Sequence, residues 1–285
     1  MIKRMHIVLT GGSGFVGKKL TNLLESNGYT ITNLDLDLGY DISNWSTVSE
    51  IDGFDILIHL AARSYVPESY QRPREYYNTN VIGTLNALEL CRINNAKMIF
   101  TSSYVYGIPS SIPINETHPL AAVNPYAETK LCGESLCKAY SRDFKIPSLI
   151  LRPSNIYGPE QTGDFLIPTI IKQIESGTIN LKDARPKRDF IFIDDLVKAY
   201  LAIIQSSLGE TEVFNIGSGE SHSVMDVAQT INKLCGNSLK IEYADSDRKI
   251  EIMETRYDIS KIKKLTGWYP ETNLETGLKT ILNIG

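Results

Sequence analysis

The chain has 285 residues, 42% hydrophobic and 22% charged, with a formal net charge of −4. That length suits one large domain or two small ones with ample core, and the mildly acidic balance argues against a nucleic-acid partner, which needs a basic footprint. No apolar stretch approaches the ~20 residues that cross a bilayer, and "MIKRMHIVLTGG" is too charged and too short in its apolar run for a secretory signal, so a cytoplasmic protein without a membrane partner is expected.

In chain order, "MHIVLT" (5–10) reads as a first strand bounded by a glycine turn. The segment "FVGKKLTNLLESNG" follows as a helix with Phe15, Val16, Leu20, Leu23 and Leu24 on one face. Further apolar runs bounded by turns are "YTITNLD" (29–35), "FDILIHLA" (54–61), "KMIFTSS" (97–103) and "PSLILRP" (147–153). Strands alternating with periodic helical segments predict an α/β fold with a doubly wound parallel sheet. After about residue 160 the rhythm loosens through "ESGTINLKDARPKRD" (175–189), then "FIFIDDLVKAYLAII" reads as a strand and helix, and a further helix is expected from Val224 to Leu234. The expected organisation is a nucleotide-binding domain over 1–164, with 188–215 returning to it, and a smaller C-terminal lobe from 165–187 and 216–285. Cys91, Cys132, Cys137 and Cys235 form no C-x-x-C pair and no metal-ligand spacing, so they read as reduced, mostly buried thiols and no metal site is expected.

"LTGGSGFVG" sets Gly11, Gly14 and Gly17 between the first strand and the first helix. Gly11 permits a tight turn, Gly14 lets backbone approach a pyrophosphate, and Gly17 allows close packing; the phosphates would sit at the helix N-terminus. Asp35 closes the second strand eighteen residues beyond Gly17, where a carboxylate accepts hydrogen bonds from a ribose diol. A dinucleotide in a Rossmann-type fold follows. NAD is expected rather than NADP, because a 2′-phosphate would meet the Asp35 carboxylate and "DLDLG" offers no arginine. Asp41 and Ile42 are candidates to bracket the adenine, although helix capping by Ser43 accounts for the same stretch.

In "NPYAETK", Asn124 suits an N-cap and Pro125 the first helical position. Tyr126 and Lys130 are four apart and share a helix face. An ordinary phenol with a pKa of ~10 is a poor base, but a neighbouring ammonium and the cationic nicotinamide of an oxidised cofactor lower that value. A surface pair is the bland alternative. The strand "FTSSYVYG" counts against it, since Ser102 and Ser103 fall at the C-terminal edge of the sheet, where such folds bind ligands. Either serine could hold a substrate oxygen, or bond backbone locally.

The strings "TGGSGFVG", "HLAA", "NVIGT", "TSSYVYG", "YAETK", "RPSNIYGP", "RDFIFIDD", "FNIGSGE" and "DISKIKKLTGWYP" run nearly end to end. With them the chain resembles the extended short-chain dehydrogenase/reductase family of nucleotide-sugar epimerases and dehydratases. The resemblance implies Tyr126 as general base, Lys130 as its electrostatic partner and ribose anchor, and Ser102, five residues before Gly107, as the hydroxyl beside the reacting oxygen. It implies Phe15, Val16, Leu60, Ala61 and Ala62 beside the cofactor, with Ser103, Asn155, Arg188 and Arg248 toward a nucleoside-diphosphate sugar, and Asn80 as structural. A homodimer through helices near 75–94 and 126–142 is expected on the same ground, although those apolar faces also suit an ordinary core.

Two departures narrow the activity. Family 4,6-dehydratases carry an acidic pair after the catalytic hydroxyl, where this chain has Ser103 and Tyr104, which argues against dehydration. The short link from Asp35 to Asp41 and the absence of a glycine-rich hairpin in "LKDARPK" resemble 4-keto-sugar reductases. The leading expectation is an NAD-dependent epimerase acting at C4 through a transient 4-keto sugar. The alternatives are an NAD(P)H-dependent reductase of a 4-keto-6-deoxy sugar and a non-catalytic dinucleotide sensor.

Overall fold

The computed structural model describes residues 4–244 and 252–284, and the chain divides into two compact units. The first unit takes residues up to Gly107, Pro119–Pro153 and Tyr200–Phe214. Its centre is a sheet of strands β1 (His6–Thr10), β2 (Thr30–Leu34), β3 (Ile56–His59), β4 (Lys97–Thr101) and β5 (Ser148–Pro153), with Glu212–Ile216 at one edge. The order is edge strand, β5, β4, β3, β1, β2, and the pairs from β2 to β5 are parallel. β3 and β5 are buried at every position, as apolar runs covered on both faces must be. Strand order reverses about β1, and open sheets of this kind bind ligands at the carboxyl ends of the strands at such a switch point, here β1 and β3.

Helix α1 (Phe15–Ser26), the helix Gly83–Asn94 and the helix Pro125–Phe144 cover the sheet. One core gathers Val8, Leu57, Ala87, Leu88, Met98, Phe100, Cys137 and Ile150. Asn124 caps the Pro125–Phe144 helix by accepting the Ala127 N–H at 2.8 Å, and Pro125 occupies its first turn. The helix lies close on β4 because Gly133 has no side chain: a Cβ there would come within 2.5 Å of the Phe100 ring. That contact sets Tyr126 and Lys130 near the end of β4.

The second unit takes Ile108–His118, Ser154–Ala199 and the chain from Asn215 onward. It is built of two-stranded ladders, Asn155–Tyr157 with Phe190–Phe192, Lys187–Arg188 with His222–Ser223, and Thr178–Leu181 with Lys240–Tyr243. The Val224–Leu234 helix starts at a reciprocal cap in which Ser223 and Asp226 bond each other's backbone N–H. Buried Asp189 ties this unit together: its carboxylate accepts from Ser154 Oγ, Ser218 N and Oγ, Gly219 N and Tyr257 N. The partition departs from the expected one. Phe190–Phe192 pairs with Asn155–Tyr157 instead of the main sheet, so only Tyr200–Phe214 returns to the first unit. The four cysteines are free, Cys91 and Cys137 fully buried and Cys132 and Cys235 half-buried.

Candidate active site

The glycine turn is tighter than spacing alone conveys. Gly11 has φ +75°, its N–H donates to Leu34 O at 3.0 Å, and a Cβ there would stand 2.8 Å from Ala61 N. Leu60 and Ala61 flank it, their N–H groups donating to Thr10 O at 3.1 Å and Thr10 Oγ1 at 3.2 Å, and Ala62 continues the segment. Thr10 Oγ1 also bonds His59 Nδ1 at 2.7 Å, and burial, aided by the Lys130 charge, pushes the His59 pKa down to about 3, so this imidazole is neutral. Helix α1 begins at Phe15 and Val16 behind Gly14, which offers no side-chain cap, so its first N–H groups point to whatever binds there. Gly17 packs on the turn itself rather than on a strand: its Cβ would meet Gly11 O at 2.2 Å.

Asp35 at the end of β2 accepts the Ser13 N–H on Oδ2 at 2.9 Å, and Oδ1 has no partner among the described residues. A carboxylate tied to the glycine turn with one oxygen left open fits the diol of an adenosine ribose. The residues present therefore fit NAD. Asp41 and Ile42, the candidates for adenine, come just after the short helical turn Leu36–Leu38 that follows Asp35. Asp41 Oδ1 is taken by Ser43 N and Oγ at 2.9 and 2.7 Å, while Ile42 is 5% exposed and belongs to the core. Asn44, not Ser43, caps the short helix that follows, because its Oδ1 accepts Ser46 N.

Around Tyr126 the structure separates the two serines. Ser102 is buried with its hydroxyl donated to Glu134 Oε1 at 2.7 Å, so it is not open to a substrate. Ser103 Oγ is buried with no hydrogen-bond partner among the described residues, and its hydroxyl draws the Tyr126 phenol pKa downward. The two hydroxyls face each other without a formed bond. Counting back from Gly107 selected Ser102. The register, however, is set forward from β4, and alternation along the extended chain sends Ser102 inward and Ser103 to the site. Tyr104, next in line, donates its phenol to Gly107 O at 2.5 Å.

Lys130 is 3% exposed, donates to Thr101 O at 2.8 Å and lies 5.2 Å above the Phe100 ring. Burial lowers its pKa to about 8. Tyr126 is half-buried as a residue, yet the phenol is enclosed deeply enough that burial pushes its pKa up to about 12, with Ser103 working against it. The sequence-based expectation was a phenol made acidic by its lysine; here burial raises the phenol, and the opposing influence comes from Ser103. Asn80 is saturated by Arg63 N, Arg63 O and Thr129 Oγ1, a tie between the segment after β3 and the helix bearing Lys130.

In the second unit, Asn155 bonds Asp189 O through both N and Nδ2, and Arg188 Nη1 donates to Lys187 O and Ile252 O. Asn155 and Arg188 thus neighbour one another around Asp189. Arg248 lies outside the described residues. Sequence reasoning missed Glu134, Arg152 and Tyr106; the signal for Glu134 was its place one turn beyond Lys130. Among the described residues no three His, Cys, Asp or Glu side chains gather as a metal site, and no helix is long and apolar enough to cross a membrane.

A parallel sheet with a switch point, a glycine turn, a carboxylate at the end of the second strand and Ser103, Tyr126 and Lys130 near the end of β4 define a class of dinucleotide-dependent enzymes. Residues 7–217 match the NAD dependent epimerase/dehydratase family, and the chain belongs to it, an enzyme of the NAD-dependent epimerase/reductase type. It is 29% identical over 307 residues to a UDP-glucose 4-epimerase of Lactobacillus helveticus, covering 94% of this chain and 92% of the relative. It is 30% identical over 297 residues to GDP-6-deoxy-D-mannose reductase of Pseudomonas aeruginosa, covering 98% and 96%. Among solved structures, a UDP-glucuronic acid 4-epimerase from Bacillus cereus in complex with UDP-glucuronic acid and NAD superposes with a TM-score of 0.88 at 29% identity, covering 98% of each chain.

Proposed function

We propose that this enzyme is an NAD-dependent nucleoside-diphosphate-sugar epimerase acting at C4 through a transient 4-keto sugar. The observation that carries the reading is the buried, unpartnered Ser103 hydroxyl facing the Tyr126 phenol, one helical turn from buried Lys130. Bound NAD supplies a hydride acceptor that returns the same hydride. Tyr126 takes the proton of the sugar hydroxyl as its carbon is oxidised, then gives it back on reduction. Ser103 holds the substrate oxygen during both steps. A phenol with a pKa of about 12 is not yet a base at neutral pH, so positive charge from Lys130 and an oxidised nicotinamide must draw it down. Gly11, Gly14, Phe15, Val16 and Gly17 would hold the pyrophosphate, Asp35 and Lys130 the riboses, with Leu60, Ala61 and Ala62 along the groove. Asn155 and Arg188 are proposed for the sugar's diphosphate, for which an arginine fork is suited.

The second reading, reduction of a 4-keto-6-deoxy sugar, is favoured by the similarity to the Pseudomonas aeruginosa reductase and by the short link from Asp35 to Asp41 with no glycine-rich hairpin in "LKDARPK". One experiment separates them: incubate the purified protein with nucleotide sugars and no added cofactor, and follow C4 stereochemistry. Turnover supports the epimerase. Activity only with reduced nicotinamide and a 4-keto sugar supports the reductase. Binding without turnover across a broad sugar panel leaves a dinucleotide sensor. In either enzyme Tyr126→Phe abolishes turnover and spares NAD binding, and near-normal rates would remove Tyr126 from its role.

A further inference from the structure

One helical turn beyond Lys130 a buried polar chain links Ser102, Glu134, Arg152 and Tyr106. Glu134 sits one helical turn beyond Lys130. Its Oε1 accepts Ser102 Oγ at 2.7 Å and Arg152 Nε at 2.8 Å, and its Oε2 accepts Arg152 Nη2 at 2.6 Å. Arg152 Nη1 donates to Tyr106 OH at 2.8 Å, and the guanidinium stacks 4.9 Å from that ring. Glu134 and Arg152 are each 1% exposed. Desolvating such a pair costs several kcal/mol per ion, and apolar replacements are often neutral or stabilising. Stability is therefore a weak reason for it.

Its neighbours suggest another. The groups around Lys130 are Tyr126, Glu134 and Cys137 on its own helix, His59 on β3, and, beyond Glu134, Arg152 on β5. Burial keeps His59 neutral and holds the Tyr126 phenol and the Cys137 thiol protonated, and the carboxylate one turn from Lys130 is Glu134, ion-paired to Arg152 at 2.6 Å. Arg152, although burial works to lower its pKa, is held cationic by its two bonds to Glu134. Ser102 ties the end of β4 to that same carboxylate, and Ser103 points the opposite way.

We propose that Glu134, clamped by Arg152 and Tyr106, is a positioning residue: it supplies the negative charge beside Lys130 and, through Ser102, fixes the strand end that aims Ser103 at Tyr126. The kinetic part rests on the proposed role of Tyr126, Lys130 and Ser103, and the titration part does not.

The test uses the full chain, comparing wild type with Glu134→Gln/Arg152→Met, Ser102→Ala and Tyr126→Phe. The first readout is the Lys130 titration midpoint, followed by NMR of lysine side chains and assigned with Lys130→Met. The double variant should lower that midpoint by roughly one pH unit, the scale on which one opposite charge acts nearby. The alkaline limb of kcat should move down with it. Ser102→Ala should leave the midpoint in place and lower kcat roughly fivefold or more with KM within about twofold, a split expected when an interaction matters in the transition state alone. A folded double variant with the wild-type midpoint overturns the proposal, as does Ser102→Ala with wild-type kcat. If the double variant does not fold, Glu134→Asp keeps the charge but withdraws it by a methylene, and an unchanged midpoint there also overturns it. Turnover retained in Tyr126→Phe sinks the reading of the site alone, and the Lys130 midpoint still decides the role of Glu134.

Discussion

Replacing Gly17 by alanine probes how the turn is built. A Cβ at this position would lie 2.2 Å from Gly11 O and 2.7 Å from Gly12 Cα. Carbon and carbonyl oxygen approach to about 3.3 Å at closest, so the turn must retreat by roughly 1 Å. Overpacking of this kind costs about 1–3 kcal/mol. Alanine gains up to ~1 kcal/mol over glycine in a helix, so the net loss is about 1–2 kcal/mol, or a fall in Tm of roughly 2–8 °C for a chain of this size. The displaced carbonyl carries the Gly14 N–H, which donates to it at 3.2 Å, and so disturbs the helix start proposed to receive the pyrophosphate. NAD affinity should drop about tenfold or more, each tenfold being ~1.4 kcal/mol. Titration calorimetry of NAD into the stripped protein, with thermal denaturation alongside, measures both. Gly28→Ala is the control: φ is +85° and nothing lies within 4 Å of a Cβ, so it should cost about 1–2 kcal/mol of left-handed strain and leave NAD affinity unchanged. Gly17→Ala with wild-type Tm and NAD affinity within about twofold would refute the close approach of α1 to the turn.

Asp35→Ser should release the Ser13 N–H and remove the like charge facing a 2′-phosphate, narrowing the NAD-over-NADP preference by roughly tenfold or more; an unchanged ratio of dissociation constants places discrimination elsewhere. Lys130, at about 8 when folded against an ordinary 10.5, binds fewer protons in the native than in the unfolded state between those pH values, so its contribution makes stability rise from pH 8 toward 10. Above pH 10 Tyr126, raised to about 12, works in the opposite sense, since the unfolded phenol ionises first. Urea unfolding of wild type against Lys130→Met should show that rise only in wild type, totalling up to about 3 kcal/mol. His59, lowered to about 3, stays neutral while the unfolded state takes a proton below pH 6.5, so stability is lost on acidification. His59→Asn should flatten the urea-derived stability curve between pH 6 and 4 by up to about 1.4 kcal/mol per pH unit; equal slopes in the two proteins would show that His59 titrates normally.

Much of the first unit was legible because its signals are local. Short buried strands, the glycine turn, the Asn124–Pro125 cap and the four-residue Tyr126–Lys130 spacing each depend on neighbours within a turn or a strand, and the structure forms those elements near the expected limits. The Glu134–Arg152 pair was not legible in this way, because Arg152 comes from another element.

What the sequence determines by itself is thus a parallel α/β scaffold with a phosphate-directed turn and a phenol and amine on one helix face. Tertiary structure decided which of two adjacent serines meets that phenol, that Glu134 pairs with Arg152 from another element, and that burial drives Tyr126 to about 12 and Lys130 to about 8. Periodicity is written into neighbouring residues, whereas desolvation and long-range pairing depend on which distant segments close over a group, and that is fixed only when the sheet and its helices pack.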